Sequence, residues 1–325
     1  MVAAVGILLV VALAVPAAAA RDKHTSPRSR KALTATTTPG TRDYEPYRGL
    51  GVWVDAYDYS APFQDPLGEP PPVTPDSVAD MAQLGAHTLY LQAAKADARS
   101  PGPLVDDKLV GQFLARAHAR GLKVVAWYLP LYGDVEADFA HIKALFDFRA
   151  GPRKRDKFDA IALDVEWTTD VPDVAERNNR AVSLFERTRA LVGERMAIGA
   201  IIYPPTQLEV LNQALWPAFP YTRVGEWADV WMPMAYFTFR SGELRGADTY
   251  TLDSVRRLRN NLGDQHAIVH PIGGIADLMK TSDYRAFVRS AQQLGAIGWS
   301  VYDYNTTATS AWPQLRAGTF SRATK

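Results

Sequence analysis

The chain has 325 residues, of which 47% are apolar and 22% are charged, and it contains no cysteine. This composition is that of an ordinary globular protein and excludes a disordered chain, a collagen and a disulfide-stapled scaffold. Residues 1–49 hold seven basic and three acidic residues, which leaves 29 basic and 32 acidic residues in the remainder. A region without excess positive charge lacks the attraction that phosphate backbones require, so we expect no nucleic-acid partner.

The N-terminal segment predicts export. Residues 1–20 contain no charged residue and end in four alanines, which is typical of a secretory signal peptide, although 20 apolar residues could also remain as a membrane anchor. Residues 21–48 are rich in Thr, Ser, Arg and Pro and predict a disordered tether. We therefore expect an extracellular or cell-surface protein whose folded catalytic domain comprises residues 49–325.

From residue 50 onwards, short apolar runs alternate with amphipathic stretches, as in a parallel sheet with helical crossovers. The eight predicted strands are residues 51–56, 88–93, 123–128, 160–166, 196–203, 229–236, 267–272 and 297–302. Eight such units in about 275 residues match a (β/α)8 barrel, which needs ~250 residues. A doubly wound open sheet is the alternative, but no dinucleotide or phosphate-binding glycine motif follows a strand. We predict a single-domain α/β protein, a (β/α)8 TIM barrel, that acts as a monomer.

The fourth predicted strand carries two carboxylates at its carboxyl end, where barrel enzymes place their active sites. Asp164 and Glu166 are spaced i, i+2, so both point to the same face of the strand. Two close, partly desolvated carboxyls cannot both ionise at low cost, so one can stay protonated as a general acid. Cleavage of a glycosidic bond needs such an acid. The alternative is a structural pair that is neutralised by a buried cation, for which Lys95 is available.

Other polar and aromatic residues at strand ends are candidates for substrate binding. Five of the eight tryptophans lie in or beside predicted strands, where a flat ring could pack in the core or stack on a sugar: Trp53, Trp127, Trp167, Trp231 and Trp299. Trp167 and Trp299 are the better ligand candidates because their polar neighbours place them at the rim. The predicted substrate-binding residues are Asp55, Gln92, Trp127, Trp167, Tyr203, Trp299 and Asp303. Asp58, Lys95, His270, Tyr302 and Asn305 also lie at predicted strand ends.

Residues 159–166 read Asp-Ala-Ile-Ala-Leu-Asp-Val-Glu and resemble the DxxDxDxE signature of glycoside hydrolase family 18, the chitinases and endo-N-acetylglucosaminidases. The resemblance implies Glu166 as the acid and Asp164 as the carboxylate that orients the acetamido group of the substrate.

The resemblance extends to two later segments. Met234-Ala-Tyr236 is similar to the M-x-Y segment of that family and implies a catalytic role for Tyr236, and Trp299 resembles its strand-eight tryptophan. Two positions depart from the pattern: Ala162 replaces the middle acidic residue, and Phe237 stands where the family usually has aspartate. These departures leave a catalytically inactive carbohydrate-binding barrel as the alternative function.

A second resemblance competes with the first. The Asp164-Val-Glu166 strand is also similar to that of family 25 lysozymes, as are residues 125–130 and the following stretch that contains Glu136-Ala-Asp-Phe. That resemblance implies a first-strand aspartate, matched by Asp55, and a last-strand Asp-x-Asn, matched by Asp303.

Other chemistries lack their motifs. The six histidines have no metal-binding H-x-H or H-E-x-x-H spacing, and no G-x-S-x-G nucleophile elbow occurs. We therefore expect no metal and no cofactor. The sequence predicts an exported glycoside hydrolase whose substrate is an oligosaccharide, a polysaccharide or a cell-wall glycan.

Overall fold

The computed structural model describes residues 41–151 and 155–317. Its strands and helices alternate along the chain as the sequence predicts. The elements are β1 (Gly49–Val54), α1 (Ala56–Tyr59), α2 (Val78–Gln83), β2 (Thr88–Gln92), α3 (Asp107–Ala119), β3 (Lys123–Tyr128), α4 (Val135–Asp147), β4 (Ala160–Val165), α5 (Val174–Val192), β5 (Ile198–Ile202), α6 (Tyr221–Gly225), β6 (Val230–Pro233), α7 (Ala247–Leu262), β7 (Ile272–Ile275), α8 (Thr281–Gln293), β8 (Gly298–Tyr302) and α9 (Trp312–Arg316).

The eight strands form one parallel sheet in the order β6-β5-β4-β3-β2-β1-β8-β7. Parallel bridges from Trp231 to Val269 and from Met234 to Ile272 join the two ends of this order. The sheet therefore closes on itself, and the prediction of a (β/α)8 barrel is confirmed.

Side chains alternate between the interior of the barrel and the layer beneath the helices. On β4, Ala160 and Ala162 belong to the interior cluster, whereas Ile161, Leu163 and Val165 pack in the outer layer. The same alternation directs Asp164 and then Glu166 towards the interior at the carboxyl end of the strand. The fold thus places both carboxyls at the mouth of the barrel.

The seventh strand lies later in the chain than the predicted run 267–272, because its regular pairing with β8 starts only after Pro271, at Ile272. His270 consequently lies inside the barrel rather than at its mouth, and it is fully buried. Its Nδ1 lies 2.8 Å from the carbonyl oxygen of Tyr47, and its Nε2 lies 3.1 Å from Oγ of Ser300. Burial lowers the pKa of His270 to about 4, so the ring is neutral at physiological pH.

Residues 41–48, expected to belong to the tether, pack against the barrel instead. Tyr47 is fully buried in the interior cluster, and its hydroxyl donates a 2.8 Å hydrogen bond to the carbonyl oxygen of Ile161. Arg42 forms a 3.0 Å ion pair with Asp229, before β6. The segment is polar on average, but its tyrosine supplies enough apolar surface to fill the end of the barrel where the strands begin.

The predicted export segment, residues 1–20, and residues 21–40 of the predicted tether lie outside the described residues and stay predictions. Within the described ranges, no helix has both the length and the apolar character needed to cross a membrane.

Candidate active site

Asp164 and Glu166 lie together at the mouth of the barrel, as predicted. Asp164 is 6% exposed, and Glu166 is half-buried. Burial raises the pKa of Glu166 to about 7, although the positive charge of Lys95 opposes the shift. Burial, followed by the charge of Glu166, raises the pKa of Asp164 well above its usual range. The pair therefore holds at least one proton near neutral pH, and Glu166 is the more accessible donor.

The two carboxyls influence each other, because the Coulombic interaction between neighbouring acids is mutual. Burial is the main cause of the raised pKa of both groups, so the pair releases its two protons one after the other. Asp164 Oδ1 is buried and, among the described residues, has no hydrogen-bond partner, so it is available to a ligand.

Lys95 does not tie the two carboxyls together. Among the ion pairs of the described residues, none joins Lys95 to Asp164 or Glu166. Its ammonium lies over the ring of Tyr57, 5.1 Å from the centroid, and it lowers the carboxyl pKa values from a greater distance. The hypothesis of a structural ion pair therefore receives no support from the geometry.

A second group of carboxyls, here called the carboxyl cluster, consists of Asp55, Asp58 and Asp303. One oxygen of each lies within 4.8 Å of the others. Asp55 follows β1 and caps α1, while Asp303 follows β8, and these two strands are neighbours in the sheet. Round the ring of strands, β8 lies four positions from β4 in either direction. The carboxyl cluster and the Asp164–Glu166 pair thus face each other across the mouth.

Three tyrosines line the space between the two acid groups. Tyr302 donates a hydrogen bond from its hydroxyl to Oδ2 of Asp55, and its ring centroid lies 6.4 Å from that of Tyr236. Burial, and then the charges of Glu166 and Asp164, raise the pKa values of Tyr203 and Tyr236. Their hydroxyls therefore stay protonated and can donate hydrogen bonds to a bound ligand.

Trp127 lies in the interior cluster at the carboxyl end of β3, and its contact with a ligand stays a prediction. It is 6% exposed and packs edge-on against Trp53 at 5.8 Å. Its Nε1–H is buried and lacks an acceptor among the described residues. Gln92, by contrast, is buried and its carbonyl accepts a 3.1 Å hydrogen bond from the backbone N–H of Ala56. Gln92 thus holds α1 in place, which accounts for its polar group without a ligand.

The two tryptophans preferred as ligand platforms differ from each other. Trp167 is half-buried at the rim, and its indole N–H donates a 2.9 Å hydrogen bond to Asp170. Trp299 is 1% exposed in the outer layer, and its indole N–H donates to the carbonyl oxygen of Leu315 at 3.1 Å. The expectation that Trp299 binds substrate is wrong, because the alternation along β8 directs its neighbour Ser300 inward and Trp299 outward.

Sequence reasoning named Asp58 and Tyr302 only as residues at strand ends, although both belong to the site. The sequence does contain one signal for Asp58, because the Asp55-x-x-Asp58 spacing is that of a helix capping box, which brings the two side chains together. Tyr57 lies beside Lys95 and is 44% exposed, and no sequence motif marks it as a residue of the candidate active site.

The two departures from the family 18 signature have packing explanations. Phe237 is fully buried, so the side chain at this position packs in the core. Ala162 is also fully buried, and a Cβ added at the neighbouring Gly199 would lie 2.9 Å from both Ala162 and Tyr47. Ala162 and Tyr47 thus both lie against Gly199, and the interior of the barrel beside Ala162 is closely packed.

Comparisons with known proteins identify the fold. No protein-family model and no curated protein matches the chain. The structure is similar to a family 18 chitinase from Pseudoalteromonas aurantia, with a TM-score of 0.56 at 13% identity over 83% of this chain and 98% of that chain. It is similar to a class V chitinase from Cycas revoluta in complex with (GlcNAc)3, with a TM-score of 0.58 at 12% identity over 84% and 99%. It also resembles an endo-beta-1,4-mannanase from Thermotoga petrophila, with a TM-score of 0.55 at 11% identity over 80% and 68%.

These likenesses confirm the expected barrel of the kind found in family 18 chitinases. At identities of 11 to 13% they establish the fold alone. The resemblance to the family 25 lysozymes stays a prediction.

Proposed function

We propose that the protein is an exported glycoside hydrolase that cleaves a polysaccharide or a cell-wall glycan, with Glu166 as the general acid and Asp164 as its supporting carboxyl. The observation that carries the proposal is the half-buried carboxyl of Glu166 at the mouth, whose pKa burial raises to about 7. A general acid must be protonated at working pH and must reach the leaving oxygen. The similar structures of chitinases and a mannanase support the same class of reaction.

The chemistry that we propose uses carboxyls on both sides of the mouth. Glu166 protonates the oxygen of the departing sugar, while Asp164 binds the substrate through its unpartnered oxygen. Asp55 or Asp303 of the carboxyl cluster is the second carboxylate, which either takes a proton from the water that attacks the anomeric carbon or attacks that carbon itself before water releases the sugar. Burial raises the pKa of Asp303 to about 6, so this carboxyl is largely ionised at pH 7 while Glu166 is still half protonated.

This route does not depend on help from an acetamido group of the substrate. The family 18 pattern would place further acidic residues at positions 162 and 237, but Ala162 and Phe237 are fully buried. Cleavage of sugars without an N-acetyl group is therefore compatible with the proposal.

The test is turnover on a panel of chitin oligosaccharides, mannan and peptidoglycan, measured as release of reducing ends. Glu166→Gln keeps the shape of the side chain but removes its proton, so we expect turnover to fall by roughly 10²–10⁴-fold while glycan binding survives. Glu226→Gln, at an exposed position, makes the same chemical change away from the mouth and is the matched control.

Two outcomes would contradict the proposal. Glycan binding by the wild-type protein without turnover on any substrate would favour the inactive carbohydrate-binding barrel. Loss of about 3–5 kcal/mol of stability in Glu166→Gln, with no activity to lose, would indicate a structural pair.

Export is a separate part of the proposal, and it rests on the apolar residues 1–20 and their alanine-rich end. Mass spectrometry of the protein from the culture medium should find a mature chain that begins near residue 21. An intact N-terminus in the membrane fraction would instead identify residues 1–20 as an anchor, and an intact chain in the cytoplasm would contradict export.

A further inference from the structure

The carboxyl cluster brings three acidic side chains together where solvent has little access. Asp58 is 5% exposed and Asp303 is 7% exposed, and both lie within 4.8 Å of Asp55 when measured between carboxylate oxygens. No ion pair of the described residues involves any of these three carboxyls. Three adjacent charges cannot all persist in such surroundings, so the cluster must hold a proton or a cation at neutral pH.

The hydrogen-bond donors around each carboxyl decide which one is least stabilised as an anion. Asp55 accepts from the backbone N–H of Tyr57 at 2.7 Å, from the backbone N–H of Asp58 at 3.1 Å and from the hydroxyl of Tyr302. Burial raises the pKa of Asp55, but these three donors lower it, and the carboxyl also lies at the N-terminus of α1.

The other two carboxyls receive fewer donors. Asp303 accepts from the backbone N–H of Thr306 at 2.9 Å and from the Thr306 hydroxyl at 3.0 Å. Asp58 accepts from the backbone N–H of Asp55 at 2.9 Å and from the side chain of Asn305. The two are buried to nearly the same extent, and the difference lies in their donors: both donors to Asp303 lie within 3.0 Å, whereas among the described residues only the backbone N–H of Asp55 lies that close to Asp58.

We propose that Asp58 is a positioning residue that stays protonated at neutral pH and shares its proton with the adjacent carboxylates of Asp55 and Asp303, so that these two keep their charge and orientation at the mouth. The functional part of this inference rests on the proposed hydrolase, in which Asp55 or Asp303 is the second carboxylate. The protonation of Asp58 itself follows from the geometry of the cluster and is independent of any activity.

The surroundings of the cluster agree with this assignment. The groups that face it are Tyr59 on α1, Lys95 after β2, Tyr236 after β6, Asp277 after β7, and Tyr302 and Asn305 at or after the end of β8. Burial, and then the charges of Asp55 and Asp303, raise the pKa of Asp58 to about 9. Burial raises the pKa of Asp303 only to about 6, so Asp303 loses its proton first.

The protonation of Asp58 makes stability depend on pH with a definite sign. Its pKa is about 9 in the folded protein and about 3.9 in an unfolded chain, so the folded state binds the extra proton between these values. This contribution destabilises the protein progressively as pH rises from about 4 to 9. Asp58→Asn resembles the protonated form and cannot ionise, so it removes the dependence.

The experiment compares thermal midpoints of the wild-type protein and Asp58→Asn at pH 4 and pH 8. We expect Asp58→Asn to raise the midpoint at pH 8 and to leave it almost unchanged at pH 4. Asp65→Asn, at an exposed position, is the matched control and should shift neither value. If Asp58→Asn folds poorly, ¹³C NMR of the wild-type protein serves instead, in which the assigned carboxyl resonance of Asp58 should titrate near pH 9.

Several outcomes would overturn the inference. The wild-type protein and Asp58→Asn could show parallel pH dependence, or the assigned carboxyl resonance of Asp58 could titrate below pH 8. Calcium or magnesium at millimolar concentration could raise the wild-type midpoint at pH 8 but not that of Asp58→Asn, which would show that a cation rather than a proton balances the charge. If the protein shows the expected thermal midpoints but no turnover in any assay, the protonation of Asp58 would stand and only the proposed hydrolase function would fail.

Discussion

The indole N–H of Trp53 donates a 2.8 Å hydrogen bond to the hydroxyl of Ser300 and so joins the first strand of the barrel to the last. Ser300 Oγ also lies 3.1 Å from Nε2 of His270, whose Nδ1 lies 2.8 Å from the carbonyl oxygen of Tyr47. Because that carbonyl can only accept, Nδ1 carries the proton and Nε2 accepts from Ser300. The polar groups of Ser300 and His270 are therefore used in hydrogen bonds that join the strands beneath the candidate active site.

Ser300→Ala tests this closure. The substitution leaves the indole N–H of Trp53 and one ring nitrogen of His270 buried without partners, so we expect a loss of about 1–3 kcal/mol in the free energy of unfolding. Urea unfolding measures it, with Ser241→Ala, at an exposed position, as the control. A loss no greater than that of the control would contradict the network.

Removal of the Tyr47 side chain should destabilise the barrel. Tyr47→Ala empties a fully buried site, and we expect a loss of about 3–5 kcal/mol. Tyr47→Phe loses only the hydrogen bonds of the hydroxyl to the carbonyl oxygens of Ile161 and Ala197 and should cost about 1 kcal/mol. In the same unfolding assay, a chain that begins at residue 49 should be less stable than one that begins at residue 41. Equal unfolding midpoints for the two chains would show that residues 41–48 do not stabilise the barrel and belong to the tether.

The sequence was sufficient to predict the barrel because its strands follow a strong repeating pattern of apolar residues and breaks. It also predicted the acid pair, since the i, i+2 spacing of Asp164 and Glu166 fixes their common face once the strand is known. Trp299 shows where this reasoning fails. Tertiary packing decides which alternate residues of β8 face inward. A shift by one residue moves a side chain from the interior of a barrel to its outer layer.

The carboxyl cluster could not be foreseen in the same way. Asp58 lies on a short helix after β1, and Asp303 follows β8, so their proximity depends on closure of the barrel between the first and last strands. The role of Tyr47 depends equally on a long-range contact, with Ile161 on β4. Contacts of this range leave no local pattern in the chain.

His118 lies at the end of the barrel where the strands begin, opposite the candidate active site, and its charge should make the free energy of unfolding depend on pH. Hydrogen bonding to Asp159 raises the pKa of His118. Although burial opposes it, hydrogen bonds from His118 and from the backbone of Val124 lower the pKa of Asp159. The aspartate contribution is lost as pH falls below about 4, and the histidine contribution is lost as pH rises above about 6.5 through the raised pKa.

His118→Gln should therefore cost more at low pH than at high pH. We expect a loss of about 1–2 kcal/mol at pH 5.5, where His118 is charged, and a smaller loss at pH 8.5. His266→Gln, at an exposed position, is the control for the loss of an imidazole. Urea unfolding at the two pH values checks the prediction, which an equal loss at both would contradict.

Lys95 and Asp164 should affect the pH–rate profile differently. Lys95 lowers the pKa of Glu166, so Lys95→Met should keep Glu166 protonated to higher pH and move the alkaline limb upward. Asp164→Asn should move that limb downward, because it removes a neighbouring acid whose charge disfavours ionisation of Glu166. Both profiles are measured as kcat/KM on the substrate that the panel identifies. An alkaline limb that stays in place in Asp164→Asn would show that Asp164 does not contribute to the raised pKa of Glu166.

The pH dependence of kcat/KM for the wild-type protein tests the proposed role of Glu166 most directly, because this quantity reports the ionisation of groups in the free protein. Burial raises the pKa of Glu166 to about 7, and a general acid is active only while protonated. The account predicts that kcat/KM declines with a midpoint near pH 7 and that Glu166→Gln shows no such decline in its residual rate. Turnover that stays constant from pH 6 to pH 9, or a decline that persists unchanged in Glu166→Gln, would contradict the assignment of Glu166 as the acid.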